Sequence, residues 1–427
     1  MRNTKRPRRS PLEVVLAKVP VKIARLGNRA GGLAPFPWPF GRRFWVVTRP
    51  DLVRTVTNQP NQLTKGGWIY RLIARALGPD GLFTTADRSL WKTLRTLMNP
   101  AFAHAAMQAV AQETTRTTAQ RLREWPETVD LFEQFKQLGL EILLKHLFGS
   151  HASGGQVRGL VRLVNPVFEG MAQRIFLPAW VPGARKYARA IAAFDRAVYQ
   201  IIDTRTAEIA ERHIAGDTSE PQDLLGKLIA SKKLTRSQVH NQVSTAVMAG
   251  FDSSAIWLSE ACIAVAAADY RFAELRAEIA QRIGNRQPTL EDLAHLPLLQ
   301  EFLQEVLHDN PSFSQYFRFV EADPWFELDG QLIPKGAYIF VSLLGMHRRE
   351  PFHGKDRLSD APFGMGARKC IGEDMARVFT ALVMVQMLQQ FESWERVHPN
   401  DNRMVYAMTF RHFNTLVRLQ PASSGAT

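Results

Sequence analysis

Only two cysteines, Cys262 and Cys370, occur in the 427 residues. Two thiols cannot build a disulfide framework or supply a four-thiolate zinc or iron–sulfur site, and their scarcity fits a reducing compartment. Long apolar runs are also missing. The stretch from Leu12 to Leu26 is interrupted by Glu13, Lys18, Pro20, Lys22 and Arg25, so it makes neither an export-signal core nor a spanning segment. Acid is in short supply: 40 Asp and Glu against 54 Lys and Arg leave a net charge of +14. No internal repeat is visible. What is present is ordinary globular composition, 45% hydrophobic and 22% charged, which excludes a disordered or collagen-like chain. Length alone suggests two or three domains.

The positive charge is concentrated. Residues 1–29 hold nine basic side chains and one acid, Glu13, and so carry +8 of the +14. Such a tail reads as a solvated end, a nucleic-acid arm, or a contact with an anionic membrane surface through a short amphipathic helix. Alternate prolines in Ala34-Pro35-Phe36-Pro37-Trp38-Pro39 forbid a helix and favour an extended entry. Phe44–Val47 reads as a strand that stops at Thr48-Arg49-Pro50. From about 51 to 310 apolar residues recur at helical spacing, notably over 101–125, 131–148, 187–215 and 257–284. Short aromatic and β-branched runs such as Tyr316–Val320 and Tyr338–Val341 follow, separated by turn residues, before an apolar helix over Ala376–Phe391. The pattern predicts a mainly α fold with a small β portion built from both ends of the chain.

Between Val243 and Ala268 the only charged side chains are Asp252 and Glu260, which predicts one buried central helix. Its purely apolar pieces are too short to cross a bilayer. Asp252, beside Ser253 and Ser254, then has two readings. Either it caps or kinks the helix on local backbone, or it is a paired, functional carboxylate, since burying a lone charge is costly.

The run Phe363-Gly364-Met365-Gly366-Ala367-Arg368-Lys369-Cys370-Ile371-Gly372 is a glycine-rich turn with one Cys ahead of an apolar helix. Glycines let the backbone approach a flat ligand. A Cys at a helix N-terminus beside Arg368 and Lys369 is expected to have a depressed pKa. With no second thiol nearby, it suits a metal whose other ligands come from a cofactor. The run resembles the haem signature of the cytochrome P450 family, F-G-x-G-x-R-x-C-x-G, at every fixed position; that family uses Cys-thiolate haem ligation. Other similarities fall in the family's order. Ala249-Gly250-Phe251-Asp252-Ser253-Ser254 resembles the oxygen-activation motif, with Ser253 where Thr is commoner. Trp91 and Arg95 resemble the Trp-x-x-x-Arg that contacts a propionate, Arg318 falls where a second propionate Arg is expected, and His347-Arg348-Arg349-Glu350-Pro351 resembles a conserved turn of the family. The resemblance spans roughly residues 40–420.

It implies a triangular helical body around a buried haem b, with a single domain over 34–427 following a basic tail over 1–33, flexible or at a membrane surface. Cys370 would hold the iron, within the loop of Phe363, Gly364 and Gly366. Trp91, Arg95, Arg318 and Arg368 would grip the propionates, and Asp252 and Ser253 would relay protons. Trp68–Leu77 and Val167–Val181 would line the pocket of an apolar small-molecule substrate. The implied activity is insertion of one oxygen atom from O₂, as in secondary metabolism, in the cytoplasm or peripherally at a membrane, with nucleic acid disfavoured. Electrons would come from a separate ferredoxin or flavin reductase, because the chain leaves no room for a fused flavin domain. A basic docking face is only weakly indicated, since residues 347–377 hold seven Lys or Arg against five Asp or Glu.

Three departures accompany the resemblance. Glu305-Val306-Leu307-His308 has His where the family's Glu-x-x-Arg has Arg, and His308 is expected to hydrogen-bond Glu305 without forming a bidentate fork. The stretch from Pro351 to Phe363 is short, with Arg357 the only nearby third partner. Phe379 stands where many members carry Glu. These departures keep open a haem-thiolate protein that is peroxide-driven, non-oxygenating or degenerate.

Overall fold

A computed structural model describes residues 18–37, 43–149, 154–176, 183–250, 252–349, 362–407 and 409–422. Its helices are α1 (Lys18–Arg29), α2 (Pro50–Thr57), α3 (Gly67–Leu77), α4 (Arg88–Phe102), α5 (His104–Glu124), α6 (Leu131–Phe148), α7 (Gly154–Phe176), α8 (Ala184–Ile214), α9 (Leu224–Ala230), α10 (Arg236–Gly250), α11 (Ser253–Ala266), α12 (Asp269–Arg282), α13 (Pro297–Asp309), α14 (Leu343–His347) and α15 (Glu373–Gln390). The strands are β1 (Leu33–Pro37), β2 (Arg43–Val47), β3 (Leu63–Thr64), β4 (Thr128–Asp130), β5 (Gln315–Val320), β6 (Trp325–Leu328), β7 (Gln331–Pro334), β8 (Tyr338–Ser342), β9 (Phe391–Arg396), β10 (Met404–Ala407), β11 (Thr409–His412) and β12 (Leu416–Pro421). The mix is mainly α with a small β portion, as the texture of the sequence predicts.

Local chemistry sets several of these boundaries. Asp87 accepts from the Ser89 and Leu90 N–H groups and starts α4, and Asp130 accepts from Glu133 N at the start of α6. Glu373 and Asp374 fill the first turn of α15, where carboxylates suit the helix dipole. From Val378 to Leu388 every residue of α15 is buried, and α11 is nearly as apolar all round. These two helices pack on each other, α15 against α5 and α11 against α6 and α13, which makes them the centre of the core.

The main sheet joins the two ends of the chain in the order β1-β2-β8-β5-β3. Strand β2 runs parallel to β8 in the register Phe44↔Tyr338, and the other pairs are antiparallel. A second sheet, β4-β12-β9, and the hairpins β6–β7 and β10–β11 complete the β portion.

Two expectations change. The basic stretch 1–33 is folded from Lys18 onward, while residues 1–17 lie outside the described residues. On α1, Ile23 and Ala24 are buried, Ala24 packing with Leu344, Tyr406 and Phe410, whereas Lys18, Lys22, Arg25 and Arg29 all point out to solvent. The amphipathic helix therefore spends its apolar face on the protein body and not on lipid. Gly27 permits that approach, because a Cβ there would lie 2.5 Å from Thr48 Cγ2. Where one central helix is predicted, the described residues form two elements, α10 and α11, with a turn at Asp252 ahead of α11. Phe251 is outside the described residues. Asp252 precedes α11 without a side-chain cap bond, and Ser253 Oγ donates to Ala249 O at 3.2 Å across the junction. No single helix among the described residues is long and apolar enough to cross a membrane.

Candidate functional site

A cavity of about 330 Å³ opens inside the body. Its walls come from Tyr70 and Ile73 of α3, from the end of α10 and start of α11 (Ala246, Ala249, Gly250, Ser253), from β5, and from the loop ahead of α15. Cys370 lines it and is the exposed one of the two cysteines; Cys262 is buried.

The loop holding Cys370 is tied at several points. Cys370 N donates to Phe363 O at 2.8 Å and closes the turn, and Arg95 Nη1 donates to Lys369 O at 2.7 Å. Glu373 grips Lys369 at 2.7 Å and Arg377 at 3.0 Å, and the Arg377 guanidinium lies 5.0 Å from the Phe363 ring centre. Gly364 sits at φ +77°, a conformation that favours glycine. Gly364 and Gly372 both line the cavity, and a Cβ built on either would meet no protein atom within 4 Å. Space beside the thiol is thus held open. Gly366, at φ +67°, does other work: a Cβ there would stand 3.0 Å from Asn58 Oδ1, so it lets the loop rest on the end of α2.

The expected depression of the Cys370 pKa is not what the structure gives. Burial pushes the thiol up, and this outweighs the Gly372 N–H and the cations Arg95 and Lys369 that pull it down. Cys370 is exposed to the cavity it lines, yet enclosed enough that its own charge is poorly solvated.

Beside the thiol lies a cluster of cations. Lys65, Arg318 and Arg368 line the cavity, and no carboxylate does so among the described residues. Burial, with Arg318 and Arg368 beside it, holds Lys65 Nζ well below the ordinary ammonium value; burial and Arg318 together draw Arg368 down to about 10. Arg368 Nη1 is buried without a hydrogen-bond partner. Gathered cations with spare donors fit a ligand bearing carboxylates, and the open thiol with its two bare glycines fits a flat group with a metal at its centre. The residues present therefore fit a haem.

Not every expected residue reaches the cavity. Phe363, Gly364, Ser253, Arg318, Arg368 and Cys370 line it; Trp91, Arg95, Gly366 and Asp252 do not. Trp91 lies under Arg368, whose guanidinium is 4.8 Å from the ring centre, and Arg95 supports the Cys loop from behind. Asp252 is buried, and its Oδ2 accepts from Thr409 Oγ1 at 2.7 Å. Lys65 is a site residue that the sequence did not reveal, because a lysine before Gly66-Gly67 matches no pattern.

Trp68–Leu77 contributes Tyr70 and Ile73, as expected. Of the segment Val167–Val181, none of the residues whose side chains are described lines the cavity; Val167, Phe168 and Met171 are buried in the core, and 177–181 lie outside the described residues. Phe379 is buried, lines the cavity, and packs where a Cβ at Gly139 would come within 3.3 Å of its Cζ.

The Glu-x-x-His segment is wired differently from expectation. Glu305 pairs with Arg271 of α12 at 3.0 Å, and both side chains are about one-third exposed. His308 stacks on His347, with ring centres 4.3 Å apart, and its Nδ1 stands 3.2 Å from Asp309 Oδ1. His347 Nδ1 donates to His308 O at 2.6 Å. Arg357 and most of the stretch from Pro351 to Phe363 lie outside the described residues.

A family model described as Cytochrome P450 matches residues 37–411. Among similar proteins, a cyclooctat-9-en-7-ol 5-monooxygenase from Streptomyces melanosporofaciens is 26% identical, over 82% of this chain and 80% of its own length. A pentalenene oxygenase from Streptomyces avermitilis is 24% identical, over 81% of each. A cytokinin hydroxylase from Arabidopsis thaliana is 24% identical, over 82% of this chain and 75% of its own.

Proposed function

The chain belongs to the cytochrome P450 family, and from that premise we propose how its own residues divide the labour of a haem-dependent monooxygenase. The protein inserts one oxygen atom from O₂ into an apolar small molecule, using haem b and electrons from a redox partner. When bound, the haem supplies the binding and reductive activation of O₂.

Cys370 Sγ would hold the iron. Arg318, Arg368 and Lys65 would take the propionates, with Trp91 holding Arg368 in place and Arg95 holding the loop. One observation carries this assignment: the open thiol and three crowded cations share one cavity, with no carboxylate among the described lining residues. Binding two propionates would relieve both the mutual repulsion of the cations and the spare Arg368 donor. Ser253 lines the cavity and can turn its hydroxyl from Ala249 O toward a bound molecule, so it would pass protons inward, with Asp252 behind it as their source. Ala246 and Ala249 give that wall small apolar side chains, and Gly250 lets it close on Leu143, where a Cβ would stand 2.8 Å from Cδ2.

The substrate would be a compact hydrocarbon of the terpene kind. The apolar cavity walls and the names of two relatives, cyclooctat-9-en-7-ol 5-monooxygenase and pentalenene oxygenase, support this. The electron donor would be a separate ferredoxin or flavin reductase. The five cations of residues 1–17, with the four outward on α1, support a cytoplasmic protein that touches an anionic membrane surface peripherally.

The deciding measurement is the absorption spectrum of the reduced, CO-bound protein. A red-shifted thiolate Soret band is expected, and Cys370→Ser should abolish it. Haem-replete protein without that band would sink the assignment.

A further inference from the structure

Two buried carboxylates, Asp252 just ahead of α11 and Glu260 within it, reach the same short hairpin. Asp252 Oδ2 accepts from Thr409 Oγ1 at 2.7 Å. Glu260 accepts from His412 N at 2.8 Å and faces His412 Nδ1 at 2.6 Å. The hairpin β10–β11 is also pinned to the cavity wall. Phe410 N donates to Ser312 O at 2.9 Å, Ser312 Oγ donates to Ser253 O at 2.8 Å, and Gln315 Nε2 donates to the Tyr406 hydroxyl at 2.7 Å. Ser312, Gln315 and Tyr406 line the cavity, so this frame stands directly behind the junction of α10 and α11.

We propose that Thr409 is the positioning residue for Asp252, holding its carboxylate on the hairpin side of the helix junction, one residue from the Ser253 hydroxyl. The inference rests on the reading of Asp252 as the proton source. Asp252 occupies the cap position of α11, where unpaired N–H groups of the first turn compete for a carboxylate. Its side chain nonetheless makes no cap bond, and Oδ2 accepts from the Thr409 hydroxyl across to the hairpin. Removing that hydroxyl takes a short, buried hydrogen bond from the carboxylate and lets the first-turn N–H groups of α11 compete for it. The second link acts in the same direction, since Ser312 fixes the Ser253 carbonyl and thereby the turn that presents both side chains.

The test uses the holoenzyme with a ferredoxin–reductase pair and, as probe, the best binder from a panel of terpenoids, fatty acids and aromatics judged by difference spectrum. Three variants are compared: Asp252→Asn, Thr409→Val and Thr409→Ser. Thr409→Val should lower the ratio of product to released peroxide roughly ten-fold, about the factor carried by one hydrogen bond to a charged group. Thr409→Ser should restore it. In infrared difference spectra at fixed pH, the carboxyl band that vanishes in Asp252→Asn should shift in Thr409→Val and return in Thr409→Ser, which mere loosening of the hairpin would not produce. Valine matches threonine in shape; if it fails to fold, Thr409→Ala carries the same comparison. An unshifted band in Thr409→Val, with coupling intact while Asp252→Asn uncouples, overturns the role of Thr409 and spares the acid. Unchanged coupling in Asp252→Asn overturns the acid reading and the inference with it.

Discussion

At the scale of single residues, charge balance is the most informative quantity. Lys65 is a cation held below its ordinary value by burial and by two guanidiniums, so it costs the haem-free protein stability and repays it only when carboxylates arrive. Lys65→Met is therefore expected to raise the melting temperature of haem-free protein while speeding haem loss roughly ten-fold, the worth of one charge-assisted hydrogen bond. Transfer of haem to an acceptor globin measures the second effect. His308 shows the opposite situation. Glu305 already has Arg271, and the pair, about one-third exposed, contributes at most about 1 kcal/mol. His308→Arg would restore the family's residue, yet put a guanidinium against a buried imidazole. The expected result is a loss of about 2 kcal/mol and lower haem occupancy. Higher occupancy would mean that His308 is a defect and not part of a rewired network. His347 adds a pH signature. Burial first, and then His308, draw it from 6.5 down to about 4. The folded state thus binds fewer protons than the unfolded chain, so this group's contribution is intact above pH 6.5 and is lost as pH falls toward 4. That loss, about 3 kcal/mol at most, should be absent from His347→Gln in denaturation series across that range.

Elements show what the sequence could and could not reveal. The Cys370 loop was legible because its glycines and thiol carry chemistry at fixed spacing, and α15 because its apolar run is long. The turn at Asp252 was not legible: hydrophobicity continues through it, while the hydrogen bonds that tie Asp252 and Ser253 come from Thr409 and Ser312, more than fifty residues away. Periodicity has no access to such partners. Nor could it tell whether the amphipathic α1 faces protein or lipid, since both use the same moment; packing on Leu344 decided it. That packing is testable. Ile23 is fully buried on α1, so Ile23→Ala should cost about 2–4 kcal/mol by urea denaturation. A cost within a few tenths of a kcal/mol would show that α1 is a dispensable tail after all.

For the molecule as a whole, the disposition of α1 constrains how the +14 can act. Its apolar face is committed to the body, so any attraction to a membrane through this region is left to charge: four outward cations on α1, and five more with a single acid in residues 1–17. Insertion would add a salt-insensitive term, whereas charge alone gives none. Each Lys or Arg near an anionic leaflet is worth about 1 kcal/mol, screened over a Debye length of about 10 Å at 0.1 M salt. Binding to phosphatidylserine vesicles should therefore be measurable at low salt, vanish by about 0.5 M, and be absent on phosphatidylcholine alone. Deleting residues 1–17 removes a net four charges and should weaken it roughly a hundred-fold or more, while the CO-bound spectrum stays as it was. Cosedimentation that survives high salt, or that is indifferent to the deletion, would reject the electrostatic contact. The surface charge would then belong to solubility and to encounters with an acidic redox partner.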